Sequence, residues 1–137
     1  SMIGHMTPKY CAFGMTAARV DDVLNFFPAR LSGLFLVLAA TVTPRANPIN
    51  SLKIMLRDSS KHRSMNAGWP EGAAAGALNI ALAGPRRYQK TIIDDQWLGD
   101  GTARTGVQDI RNMLYLYVTA ALINGAWVAA LAVIRLS

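Results

Sequence analysis

Asn112–Ile134 reads NMLYLYVTAALINGAWVAALAVI, 23 residues without a charge. As a helix this run extends ~35 Å, against a bilayer hydrocarbon core of ~30 Å. It reads as a transmembrane helix, bracketed by Arg111 and Arg135, with Tyr115 and Tyr117 placed for an interfacial belt. The alternative is a buried core helix of a soluble protein, but such helices rarely reach this length uncharged. The composition agrees with a membrane protein: charged residues make up 16% of the 137, against roughly 25% in an ordinary soluble domain. The length suits one domain.

A second apolar run, Leu31–Thr43, is LSGLFLVLAATVT. Its length of ~20 Å as a helix is too short to cross alone. Extending it back gives a membrane segment over about 23–43 that takes in Asn25, Pro28 and Arg30. Pro28 predicts a kink, because its ring removes a backbone hydrogen bond and clashes with the Leu24 carbonyl. Asp21, Asp22, Asn25 and Arg30 form a polar cluster at this membrane edge, where ionisable groups are candidates for substrate binding. The plainer reading is capping and snorkelling at the interface.

The expected architecture is therefore all-α, a helical integral membrane protein with a polar helical connection, 44–111, between membrane segments 23–43 and 112–134. Residues 44–112 hold ten Lys or Arg and the first 22 residues hold two. This asymmetry favours a cytoplasmic connection in a multi-pass inner-membrane protein. The net charge of +6 reads as topology, with no nucleic-acid partner, because no recognition motif accompanies it. Cys11 is the single cysteine, so no internal disulfide is possible.

Within the connection, Asn47-Pro48 predicts a helix start with Asn as cap. Ile49, Leu52 and Leu56 recur at helical spacing, with Lys53, Arg57 and Asp58 largely opposite, giving an amphipathic helix to about Lys61. Asp58 and His62 then share a face if the helix continues that far, where a surface ion pair is the plain reading. A turn, SMNAGWP, follows. Pro70 opens a helix of small residues expected to run to Gly84-Pro85. Glu71 in its first turn suits the helix dipole. Ser64, Asn66 and the backbone around Gly68 are placed to form an anion-binding concavity before the helix. Gly72 and Gly76 permit close approach by another backbone or a flat ligand.

Beyond Pro85 the chain reads as a loop. Its Gly-Asp-Gly turn holds Asp100, a candidate ligand for a metal or an amine, although Asp-Gly is also an ordinary turn. Thr105 with Gln108 suggests a capping box for the last helix. No P-loop, zinc pair, nucleophile elbow or dinucleotide fingerprint is present.

In order along the chain, SMIGH, ARVDDVLNFFPARL, RDSSKHRSMNAGWPEGAAAGAL and LGDG resemble the C-terminal half of adenosylcobinamide-phosphate synthase, an integral membrane enzyme of cobalamin biosynthesis. Met65, Asn79 and Ala83-Gly84 depart from that family's usual proline, glycine and Gly-Gly. The resemblance implies ATP-dependent amide formation, joining aminopropanol or its phosphate to the free propionate carboxylate of adenosylcobyric acid. It implies ATP and magnesium as cofactors, the corrinoid as substrate, and a missing N-terminal half as partner, so that this piece is expected to be inactive alone. In that chemistry Arg57, Lys61 and Arg63 suit anions, while Asp58, His62 and Glu71 suit proton handling. A non-catalytic membrane sensor or docking protein related to the family is the competing expectation.

Overall fold

The uncharged run that leads the sequence forms the longest helix of a computed structural model, which describes residues 11–88 and 91–136. That helix, α5 (Val107–Leu136), has 30 residues, ~45 Å at the usual rise. Among the described residues it is the one unbroken helix long and apolar enough to cross a bilayer. Only Leu116 and Ala120 are buried along it. A helix that is apolar all round and exposed along most of its length suits lipid or other membrane helices. Its first turn is capped by the Asp109 carboxylate, which accepts from Gly106 N–H at 2.8 Å. The expected Thr105–Gln108 box is replaced because Gln108 instead donates to Asn112.

The second apolar run is a bent pair, α1 (Cys11–Leu24) and α2 (Phe26–Ala39), meeting at 46°. The bend lies at Asn25, one turn before Pro28. Proline offers no N–H to the Leu24 carbonyl, so the ladder breaks there. The Asn25 side chain donates to the Asp21 carbonyl across the break. Helical structure stops at Ala39 rather than Thr43. The Thr43 hydroxyl and N–H both donate to the Ala39 carbonyl, closing the end.

Between α2 and α5 stand α3 (Pro48–Asp58), a 3-10 turn (Ser59–Lys61) and α4 (Gly68–Leu78). The Asn47 side chain caps α3 by accepting from Asn50 N–H, with Pro48 at its start. Its buried face is the reverse of the one expected. Ile49 and Leu56 are 80% and 60% exposed, whereas Ser51, Ile54, Met55 and Asp58 are buried. The reason is the partner helix. Seven of the eleven residues of α4 are buried glycine or alanine, and they leave carbonyls within reach of short polar side chains. Ser51 Oγ donates to the Ala73 carbonyl and Asn50 Nδ2 to the Gly76 carbonyl, each at 2.7 Å. At Gly76 a Cβ would lie 2.5 Å from the Asn50 carbonyl oxygen, so only glycine permits this approach.

The small-residue helix ends at Asn79, not at Gly84-Pro85. Asn79 takes the left-handed conformation, φ 53°, which asparagine tolerates as a helix stop. The segment expected as loop contains short antiparallel pairs, β1 (Leu82–Ala83) with β4 (Trp97–Leu98) and β2 (Arg86–Tyr88) with β3 (Thr91–Ile93). SMIGH and Lys90 lie outside the described residues. The main core joins Leu36, Ala39 and Ala40 of the α2 end, Met55, Ala73, Ala74 and Ala77 of the middle pair, and Leu116 and Ala120 of α5. The connection is thus packed onto the apolar helices.

Candidate functional site

The polar residues divide into two groups, one around the last residue of α3 and one at the N-terminal end of α4. At the end of α3 Asp58 is wholly buried. It accepts from Arg57 Nε at 2.7 Å, from Arg57 Nη2 at 2.8 Å and from Gly99 N–H at 2.9 Å, and it pairs with Lys61 Nζ at 2.6 Å. Arg57 also grips both oxygens of Asp100 at 2.7 Å. The Arg57 bonds above all hold Asp58 well below the usual carboxylate range, with burial opposing them and Lys61 and Gly99 assisting. Asp100 is lowered by the same guanidinium. Arg57 in turn is raised further by its bonds to Asp58 and then Asp100. A carboxylate so held does not take up a proton at neutral pH. This group pins the Gly-Asp-Gly turn to α3, and Gly99 fits through its φ of 90° and the 2.5 Å that a Cβ would leave to the Ile80 carbonyl oxygen.

The helix gives way to the 3-10 turn at Ser59, so His62 leaves the Asp58 face and points elsewhere. At the N-terminal end of α4 its Nδ1 lies 2.9 Å from the Ser64 backbone nitrogen and 3.2 Å from the Ser64 carbonyl oxygen, and its Nε2 faces Glu71 Oε2 at 3.5 Å. Ser64 Oγ accepts from Asn66 N–H and Ala67 N–H, so the concavity before α4 is filled from within. Gly68 is buried, and a Cβ there would overlap the Ser59 carbonyl oxygen. Asn66 Nδ2 donates to the Asp22 carbonyl at 2.9 Å. Its Oδ1 is buried with no partner among the described residues. Arg63 is exposed.

The two clusters that lie far apart in the chain meet here. Asn66 ties the turn to Asp22, and the Arg30 guanidinium stacks 3.3 Å over the Phe26 ring and 4.7 Å over Trp69, donating to the Phe26 carbonyl at 2.6 Å. Asp21 is exposed and Asn25 is occupied with backbone. Glu71, 41% exposed at its side chain, also lines a cleft of about 360 Å³ between α2, α4 and α5. Sequence reasoning missed the residues that α2 and α5 bring to this cleft, Ser32, Tyr117 and Asn124, because each reads locally as part of an apolar run. Among the described residues no three of His, Cys, Asp and Glu converge as a metal cage.

An apolar span, a bent apolar pair and a polar helical unit folded onto both define a helical integral membrane protein. The description "CobD/Cbib protein" belongs to a family whose model matches residues 1–117, and the chain is a member of that family. It is 46% identical over 117 residues to cobalamin biosynthesis protein CobD of Rhodobacter capsulatus, covering 85% of this chain and 36% of the relative. With CobD of Brucella suis it shares 45% over 133 residues, 95% and 41% of the two chains. With CbiB of Salmonella paratyphi A it shares 41% over 131 residues, again 95% and 41%. The chain thus spans less than half the length of these curated relatives. No solved structure matches.

Proposed function

We propose that the chain is the C-terminal part of a multi-pass inner-membrane ligase of cobalamin biosynthesis. The whole protein joins aminopropanol or its phosphate to the propionate carboxylate of adenosylcobyric acid. Family membership supports the pathway, and the observation that carries the chemistry is the His62–Glu71 pair at the mouth of a cleft. Amide formation requires an amine to lose a proton as it attacks an activated carboxyl carbon. The Glu71 carboxylate is placed to accept that proton, with the His62 ring, tied at Nδ1 to Ser64 and directed at Glu71 through Nε2, as its orienter. Their separation of 3.5 Å is loose, as such pairs are before substrate closes the site. Arg63 is the nearby exposed cation placed to meet the carboxylate or phosphate oxygens, since Arg57 and Lys61 are engaged by Asp58 and Asp100 and Arg30 is stacked on Phe26 and Trp69.

Bound ATP would supply activation of the carboxylate, and magnesium would shield its phosphates. Magnesium binds through one or two carboxylates together with phosphates and water, and Glu71 is committed to the proton. Asp100 fits poorly, because Arg57 holds both of its oxygens. The test uses a full-length family member carrying this segment, given ATP, magnesium, adenosylcobyric acid and aminopropanol phosphate or aminopropanol. We expect an amide product of the corresponding mass, and none from residues 1–137 alone. No product from the full-length protein with either amine would refute the reading.

A further inference from the structure

α3 turns its apolar stripe away from its own core. Ile49, Leu52 and Leu56 recur at helical spacing and are all exposed, whereas Ser51, Ile54, Met55 and Asp58 on the reverse face are buried. Exposed Lys53 and Arg57 edge the stripe along one flank, and buried Met55 and Ser59 close the other. A helix that is apolar on its free side, with cations along one margin, has the section of one that lies in a membrane interface. Its level agrees. Ala73, Ala74 and Ala77 of α4 join Leu116 and Ala120 of α5 in one core, and those two residues of α5 stand ~6 and ~12 Å inside the start of the uncharged run at the usual helical rise. α4 is therefore at the depth of the interfacial layer. α3 lies along it, with Ser51 on the Ala73 carbonyl and Asn50 on the Gly76 carbonyl. Apolar side chains at that depth leave water for lipid.

We infer that α3 is an interfacial helix whose Ile49–Leu52–Leu56 stripe seats in phospholipid at the boundary of headgroups and acyl chains, with Lys53 reaching headgroup phosphates. The inference rests on α5 as a span and not on the amide chemistry. The competing cover is the part of the longer relatives that lies outside this chain. Lipid is favoured by the level of α4 against the span and by the one-sided cationic margin, since a lysine there lays its stem over apolar surface and returns its charge to phosphate and water.

The experiment places nitroxide labels at Ile49→Cys and Leu56→Cys, each with Cys11→Ser. It compares their collision rates with oxygen, which concentrates among acyl chains, and with a water-soluble nickel chelate. The proteins are held in nanodiscs of phosphatidylethanolamine and phosphatidylglycerol, both as the 137-residue chain and as a full-length family member carrying this segment. Leu122→Cys, exposed on α5, calibrates lipid. At both α3 positions, in both proteins, oxygen collisions are expected to exceed nickel collisions at least twofold. Lys53→Glu is expected to lower that ratio at Leu56→Cys, and an unchanged ratio would overturn the headgroup contact. Helix content is recorded beside each label, and the two positions are independent, so one misfolded variant leaves the other to decide. Nickel excess at both α3 positions with oxygen excess at Leu122→Cys overturns the inference and leaves the span standing. Low collision with both reagents in the full-length protein assigns the stripe to its N-terminal portion and overturns the inference as well. Nickel excess at Leu122→Cys would refute the span, and this inference with it. The measurement uses neither corrinoid nor nucleotide, so its result is independent of the ligase reading.

Discussion

Asp58→Asn removes the charge at the centre of the Arg57 cluster while keeping the side chain's shape. The carboxylate is wholly buried, and asparagine replaces one acceptor oxygen with an NH2 group that faces donors. Removing one partner of a buried ion pair costs about 3–5 kcal/mol. Arg57 and Lys61 are 39% and 34% exposed at their side chains, so water rescues both and their share is small. The Gly99 N–H, deprived of its acceptor, loses about 1–3 kcal/mol, concentrated on the Gly99–Gly101 turn. Opening of that turn then becomes roughly 5- to 140-fold more frequent, at about 1.4 kcal/mol per factor of ten. Hydrogen exchange at the Gly99 amide, measured in detergent, reads this directly. Asp100→Asn is the control: Asp100 is 61% exposed, and its loss is expected to leave Gly99 exchange close to the parent's. Unchanged Gly99 exchange in Asp58→Asn, or equal effects in the two variants, would refute the reasoning.

Because Asp58 is held below its ordinary pKa in the folded chain, its stabilisation is fully present above the unfolded carboxylate range and is lost as pH falls through and below it. Acid titration followed by exchange at Gly99 is expected to loosen this turn, and Asp58→Asn is expected to flatten that dependence. Gly76→Ala drives a Cβ against the Asn50 carbonyl and is expected to destabilise the chain by about 1–3 kcal/mol, whereas Gly125→Ala, with nothing within 4 Å, is expected to leave the melting temperature unchanged or raise it. Asn79→Gly is expected to be neutral and Asn79→Val to cost about 1–2 kcal/mol, the penalty of a left-handed residue with a branched side chain. Carbonate washing is expected to leave the chain in the membrane pellet until detergent is added; release into the supernatant would contradict the membrane assignment.

The elements carrying an unambiguous signal were legible in the sequence: the uncharged run of α5, the Asn47-Pro48 cap and the break before Pro28. What escaped depends on partners. Ile49, Leu52 and Leu56 mark an apolar stripe on α3, but the helix it meets is glycine and alanine, and short polar side chains bond those backbone carbonyls more closely than leucines would pack. Asp58 reads as a solvated carboxylate until Gly99, 41 residues later, donates to it. The stop of α4 rests on Asn79, one left-handed residue that composition does not mark as a stop. The HRSMNAGWPE stretch was legible as a polar cluster, yet its attachment to Asp22 and Arg30 required the fold. The cleft residues of α5 were hidden because a tyrosine and an asparagine within an apolar span look like belt and spacer.

The central claim is that Glu71 and His62 handle the proton of the amine in amide formation. Its most direct test is the initial rate of amide formation, read by mass, for the Glu71→Gln and His62→Ala variants of a full-length family member, with detergent melting temperatures recorded beside it. The account predicts that each rate falls by at least ~100-fold, with melting temperatures close to the parent's. If Glu71 served only the helix dipole, Glu71→Gln would cost about 0.3–1 kcal/mol of stability. Near-parental rates in both variants would contradict the account.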